Sequence, residues 1–330
     1  MATLTETVPA VSTGSAIPTY HQVPETSFDL DWADLSTLDL SQSAFFYIVN
    51  FGLSQEQVDD QFSIGQQLFN LPLEEKLKYR ADLENGGYNG YKPMGLRYRK
   101  LPPGVRDKTE IYNIPKVIPA LSRPPTGAHH DQPTQKSSIS REHIHDQIVS
   151  KLLVLIAIIL ELPEDHFSNI HRYSEPRSAE NESKGHTDFG SLMLLFRQPV
   201  AALQVRTPEG GWKWVKPYPG SITVNLADLL QFLTNGFLTS SIHRVAVPPP
   251  DQRDVDRLGV LYFVRPEDKT ELRPVASALL TRLGFDQVVD NSAVGIMAGE
   301  WVKARVAKGL PKLGNKLNCL LFIVTPRVHM

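Results

Sequence analysis

At 330 residues and a formal net charge of −2, with acidic and basic residues in near balance, the chain has no basic field for nucleic acid and no polybasic patch for a membrane. A small molecule or another protein is the partner that remains, and the length allows one large domain with a sizeable core. The one cysteine, Cys319 in Leu317-Asn318-Cys319-Leu320-Leu321-Phe322, excludes an intramolecular disulfide and reads as a core residue in a protein of a reducing compartment, the cytoplasm.

The first 17 residues, rich in Ser, Thr, Ala and Pro, lack the basic start and apolar centre of a secretory signal and read as a loose tail. Ala44-Phe45-Phe46-Tyr47-Ile48-Val49-Asn50 is a β-branched and aromatic run that predicts a buried strand, closed by Gly52. A helix follows. Ser54 suits the N-cap, Gln57 completes a capping box, and Val58, Phe62, Leu68 and Phe69 fall at helical spacing before Leu71-Pro72 ends the run. Glu74 to Tyr79 predicts a further charged helical segment. From Asn85 to Pro103 the composition shifts to Gly, Tyr, Lys, Arg and Pro. This is loop chemistry, which either reads a ligand through its aromatics and cations or packs its tyrosines on the core.

Thr109 to Ile114 alternates and predicts a strand, and Val117 to Ser140 is a long loop rich in Pro, Ser and His. That loop carries His129-His130-Asp131, a rival metal cluster whose adjacent side chains converge poorly on one ion. His143 to Leu162 predicts a helix, apolar nearly all round and so buried against a sheet, and well short of the roughly 20 apolar residues that span a bilayer. From about Ile170 short strands take over, at Leu192–Phe196, Ala202–Val205, Ser221–Asn225, Ile242–Val247, Gly259–Val264 and Cys319–Val324. Pro- and Gly-rich turns separate them, which predicts a sandwich or barrel. Leu279–Phe285 and Gly299–Lys308 add helical pieces. The whole reads as one domain over residues 1–330, with an α/β part from about 18 to 165 and a β-rich part from about 166.

Gly185-His186-Thr187-Asp188-Phe189-Gly190 sets an imidazole and a carboxylate two residues apart, on one face of a strand edge. If His243, in Ser241-Ile242-His243-Arg244-Val245, returns to the same point, the three make a two-histidine, one-carboxylate set with open positions. A non-haem Fe(II) oxygenase needs such a donor set. The competing readings are hydrogen-bonded core histidines and a turn-capping Asp188. Arg257 begins a strand that otherwise reads as buried. A ligand carboxylate would match its guanidinium fork, the alternative being a surface arginine. Arg253 is a weaker candidate for the same task.

Ala44 to Gly52 and Leu71-Pro72-Leu73-Glu74-Glu75-Lys76 resemble the N-terminal strand and the following helix turn of the isopenicillin N synthase-like Fe(II)/2-oxoglutarate-dependent dioxygenases, of the type found in fungal specialised metabolism. Gly185 to Leu192 is similar to that family's His-Thr-Asp motif and Leu203-Gln204-Val205 to the strand beyond it. Val224 to Leu230 looks like its Asn-x-x-Asp segment, and Ser241 to Val245 like the stretch holding its distal histidine. The likeness runs in order from about Phe45 to Phe322.

The resemblance implies a mainly β fold with helices, a double-stranded β-helix (jelly-roll) core with N-terminal helical additions. It implies Fe(II) bound by His186, Asp188 and His243, and 2-oxoglutarate gripped by Arg257. Two departures touch the co-substrate pocket: Gly259 stands where a serine is expected, and His171 with Tyr173 occupies an Asn-x-Tyr position. The implied reaction uses O2, converts 2-oxoglutarate to succinate and CO2, and oxidises an unactivated C–H bond of a small natural-product or amino-acid-like substrate. Tyr112, Ile114, Tyr88, Tyr91, Arg97 and Phe322 fall where such enzymes often face substrate. The rivals are an O2-dependent oxidase of the same fold without 2-oxoglutarate, which Gly259 keeps open, and a non-catalytic binding module.

Overall fold

The computed structural model describes residues 20, 22–35, 44–82, 90–95, 109–115, 143–172, 186–287, 293–309 and 319–325. Its strands are β1 (Phe45–Ile48), β2 (Gly90–Lys92), β3 (Glu110–Pro115), β4 (Leu192–Arg197), β5 (Leu203–Arg206), β6 (Trp212–Trp214), β7 (Ile222–Leu226), β8 (His243–Val245), β9 (Arg257–Val264) and β10 (Cys319–Thr325). Seven of them form one sheet in the order β1-β7-β4-β9-β10-β3-β2, and three form a second in the order β6-β5-β8. Every pairing is antiparallel.

Helix α1 (Gln55–Asn70) starts where its capping box requires. The Ser54 hydroxyl accepts from the Gln57 amide at 3.2 Å, and the Gln57 side chain accepts from the Ser54 amide at 2.9 Å. Leu71 is extended because Pro72 follows it, and α2 (Leu73–Leu77) begins directly after the proline.

Strand alternation divides the core in two. Tyr112, Leu192, Leu194, Val224, Val260 and Tyr262 pack with Val58 and Phe62 of α1 and with Leu153 and Ile156 of the central helix. Their neighbours Ile111, Met193, Leu195, Leu261 and Phe263 face the other way, against Leu203 and Val205 of β5. Helices therefore cover one face of the large sheet and the small sheet covers the other, which is the jelly-roll arrangement expected.

The segment 143–162 differs from the uniform helix that its apolar pattern predicts. A π-helical stretch, Ile144–Val149, runs into α3 (Ser150–Ile159). Its buried residues come as the pairs Ile144-His145 and Ile148-Val149. Only one side of α3 is buried: Leu153, Ile156 and Ala157 face the sheet while Leu155, Ile158 and Ile159 are exposed.

Strand β2, three residues long, falls in the stretch 85–103 read as loop, while the equally short β6 and α4 (Asp228–Leu233) fall where the sequence predicts no element. They are too short to show a period, and pairing or packing with distant residues makes them. Helices α5 (Ala278–Arg282) and α6 (Ala298–Gly309) lie close to their expected places. No helix among the described residues is long and apolar enough to cross a membrane.

Candidate metal centre

His186 and His243 meet as an isolated antiparallel bridge, with His186 N–H donating to the His243 carbonyl and His243 N–H to the His186 carbonyl, each at 2.9 Å. The chain segments behind them converge for a packing reason. Asp228 N–H donates to the Asp188 carbonyl at 2.9 Å and Leu229 N–H to the Gly190 carbonyl at 3.0 Å, so the first turn of α4 clamps the Asp-Phe-Gly segment. At Gly190 a Cβ would stand 2.4 Å from the Val264 carbonyl oxygen, so only glycine lets the two backbones come this close.

One donor atom from each of His186, Asp188 and His243 lies within 4.8 Å of the others. His186 Nε2 is 3.6 Å from Asp188 Oδ1 and His243 Nε2 is 3.7 Å from Asp188 Oδ2, separations too long for a hydrogen bond. The His243 Nδ1–H donates to the Ser241 carbonyl at 3.1 Å, so in the neutral ring Nε2 carries the free lone pair. Burial, the largest influence on His243, pushes its pKa below the usual histidine value. Burial pushes the Asp188 carboxyl up, but His243, His186 and the Asn225 amide outweigh it and hold the pKa at about 2. An ionised, fully buried carboxylate facing two imidazole nitrogens is a donor set that a divalent cation fits.

Sequence reading did not single out Asn225 as a site residue. Its Nδ2 donates to Asp188 Oδ2 at 2.8 Å. The available signal was a lone amide in Ile222–Leu226, a strand buried throughout. Asp228 was likewise read only as part of a motif. It pairs with Arg305 at 3.0 Å; burial, opposed chiefly by Arg305, leaves its pKa raised.

Arg257 opens β9, and alternation puts it on the same face as Gly259, Leu261 and Phe263. Burial without a counter-charge pushes its pKa down to about 10, and no carboxylate among the described residues pairs with it. At Gly259 an added Cβ would meet Leu261 and Leu195 methyls at 3.5 and 3.6 Å, ordinary contact, so space does not exclude a side chain there. Arg253 instead donates to the Pro248 carbonyl at 3.4 Å.

Several expected contacts are placed elsewhere. His171 uses both ring nitrogens within the protein, Nδ1 with the Phe167 carbonyl and Nε2 with the Ser191 hydroxyl, each at 2.7 Å. This leaves neither nitrogen for the co-substrate and makes the ring a tie between the 160s segment and the turn that precedes β4. Tyr112 and Tyr91, expected at the substrate, belong to the helix-side core. The Tyr91 hydroxyl donates to the buried Glu110 carboxylate at 3.0 Å. The backbone register sets Phe322 beside Tyr112 and Val260, and Ile114 beside Leu320. Tyr173, Tyr88, Arg97 and the His129-His130-Asp131 cluster lie outside the described residues.

Residues 163–266 match the 2OG-Fe(II) oxygenase superfamily model, and residues 40–137 match the model of the non-haem dioxygenase in morphine synthesis N-terminal region. The chain belongs to the 2OG-Fe(II) oxygenase superfamily, and its activity is that of an Fe(II)- and 2-oxoglutarate-dependent dioxygenase. It is 28% identical over 284 residues to UPF0676 protein C1494.01 of Schizosaccharomyces pombe, covering 79% of this chain and 83% of that one. It is also 28% identical over 231 residues to the 2-oxoglutarate-dependent dioxygenase frbH of a Dothideomycetidae species, covering 63% and 68%. The fold resembles that of full-length Neurospora crassa T7H, solved in complex with alpha-KG, with a TM-score of 0.64 at 23% identity over 81% of this chain and 87% of that one.

Proposed function

We propose that His186, Asp188 and His243 hold Fe(II), and that Arg257 binds the far carboxylate of 2-oxoglutarate, while the enzyme oxidises an unactivated C–H bond of a small organic molecule. The observation that carries this reading is the convergence of three donor atoms within 4.8 Å around an ionised, buried carboxylate. Bound Fe(II), with 2-oxoglutarate and O2, supplies oxidative decarboxylation of the co-substrate to succinate and CO2 and the oxidising power for the C–H bond.

The chain's own residues supply the rest. Asn225 orients the Asp188 carboxylate, and the Ser241 carbonyl holds His243 in the tautomer whose Nε2 is free to ligate. Arg257 meets a carboxylate as a charge-matched fork and is relieved of an otherwise uncompensated burial. Leu195, Leu261 and Phe263 make the inner face apolar and exclude water from the reacting centre. With no hydroxyl at Gly259, Arg257 bears the carboxylate with less help than a serine would provide, and Tyr173 is the further donor we assign to it. We place the activity in the cytoplasm and in specialised metabolism, on the single cysteine and on the family resemblance of the motifs.

Anaerobic addition of Fe(II) and then 2-oxoglutarate tests the reading. A metal-to-ligand charge-transfer band that needs both components is expected, and H186A should lose both the band and iron-dependent turnover. Iron binding without the band would overturn the co-substrate role of Arg257 and favour an oxidase; no iron binding would overturn the metal centre itself.

A further inference from the structure

Strand β3 carries a polar side chain that the fold leaves open. Asn113 is 1% exposed, yet among the described residues neither its Nδ2 nor its Oδ1 has a hydrogen-bond partner. Buried amides are normally paired, because a polar group withdrawn from water and left unmatched destabilises the protein.

Alternation fixes the face on which Asn113 stands. Tyr112 belongs to the helix-side cluster and Ile111 to the cluster between the sheets, so Asn113 shares the inner face with Ile111. In register Asn113 lies opposite Leu321 and Leu321 opposite Leu261; Leu261 in turn lies opposite Leu195, and Leu195 opposite Thr223. The next inward position on β7 is Asn225, which holds Asp188. Asn113 thus stands on the same apolar inner surface as the metal centre, towards the far edge of the sheet. Lys92, on the neighbouring β2 and opposite Ile111, already has interactions of its own.

We propose that Asn113 is a specificity-determining residue that reads a neutral amide-type group of the substrate: a carboxamide, lactam or imide, with N–H and C=O side by side. The inference rests on the oxygenase reading of the site. A side-chain carboxamide offers donors at Nδ2 and an acceptor at Oδ1. A substrate carboxylate would answer the donor and leave Oδ1 buried and unmatched. A guanidinium or ammonium would answer Oδ1 and leave Nδ2 unmatched. A paired donor and acceptor answers both, as Asn and Gln do when they read an adenine edge.

The test compares wild type, N113L and N113D, each loaded with Fe(II) and 2-oxoglutarate, against thymine, 2-piperidone, hexanoate and arginine as probes. The wild type should release succinate faster with thymine or 2-piperidone than with hexanoate or arginine. Both variants should keep the Fe(II)–2-oxoglutarate band and lose at least tenfold in kcat/KM for the amide probe. N113L should melt no lower than the wild type, whereas a structural role for Asn113 predicts a lower midpoint. An unchanged response in N113L, a lower melting midpoint in it, or a wild type that answers hexanoate or arginine but neither amide overturns the assignment, as does a wild type that answers no probe. Absence of the band in the wild type would overturn the oxygenase reading, and this assignment with it.

Discussion

Replacing Asn225 with leucine should weaken metal binding without unfolding the protein. Asn225 is fully buried on β7, and its Nδ2 donates to Asp188 Oδ2 at 2.8 Å. Leucine keeps the volume and removes the donor. A hydrogen bond to a charged group is worth about 1.5–3 kcal/mol. At about 1.36 kcal/mol per factor of ten, the loss is roughly ten- to a hundredfold in affinity, the range in which partners of metal ligands act. The stability cost is small for a separate reason: Asn225 Oδ1 has no hydrogen-bond partner among the described residues, so removing it relieves a buried unmatched acceptor. Anaerobic titration with Fe(II), and with Mn(II) as an air-stable stand-in, reads the affinity, and a thermal melt checks the fold. An N225L variant that melts like the wild type and binds metal within twofold of it would refute the view that this amide organises the carboxylate.

Three further substitutions probe the rest of the molecule. R257A should raise the 2-oxoglutarate requirement at least tenfold with iron affinity unchanged, and G259S, whose side chain has room, should lower it; the charge-transfer band titrated with 2-oxoglutarate reads both. H171L should leave the buried Ser191 hydroxyl short of its histidine partner and cost about 1–3 kcal/mol, measured by urea unfolding, while the Phe167 carbonyl keeps the Ile170 amide as a donor. K76M should cost about 3–5 kcal/mol because it strands Glu110, a buried carboxylate that Lys76 meets at 2.7 Å. The double variant K76M/E110L should recover most of that loss in the same unfolding experiment.

Features carried by residues close together in the chain are legible in the sequence alone. The capping box at Ser54 and Gln57 needs only three residues of chain, and it forms as expected. The alternation in 109–114 and the continuous apolar run in 259–264 announce strands, and the spacing of His186 and Asp188 announces two ligands from one segment. Spacing alone does not bring His243 to them. That juncture is an antiparallel bridge between residues far apart in the chain, closed by the turn of α4 against the Asp-Phe-Gly segment.

The faces of the sheet are another matter. Alternation says that Tyr112 and Asn113 point oppositely, but it does not say which side the helices will cover. Tyr112, chosen as a substrate contact, lies in the core cluster that holds the buried residues of α1 and α3, and alternation sets Asn113 on the opposite face with Ile111. His171 shows the same limit. A histidine at a co-substrate position in sequence became a tie, because the Phe167 carbonyl four residues before it and the Ser191 hydroxyl from the turn before β4 take its two nitrogens. Local propensity and spacing thus determined the helix starts, the strands and the two ligands within one motif. Which residues share a surface, and which polar atoms are left for a ligand, depended on long-range packing, since a side chain's free valences are known only once every segment that covers it has been placed.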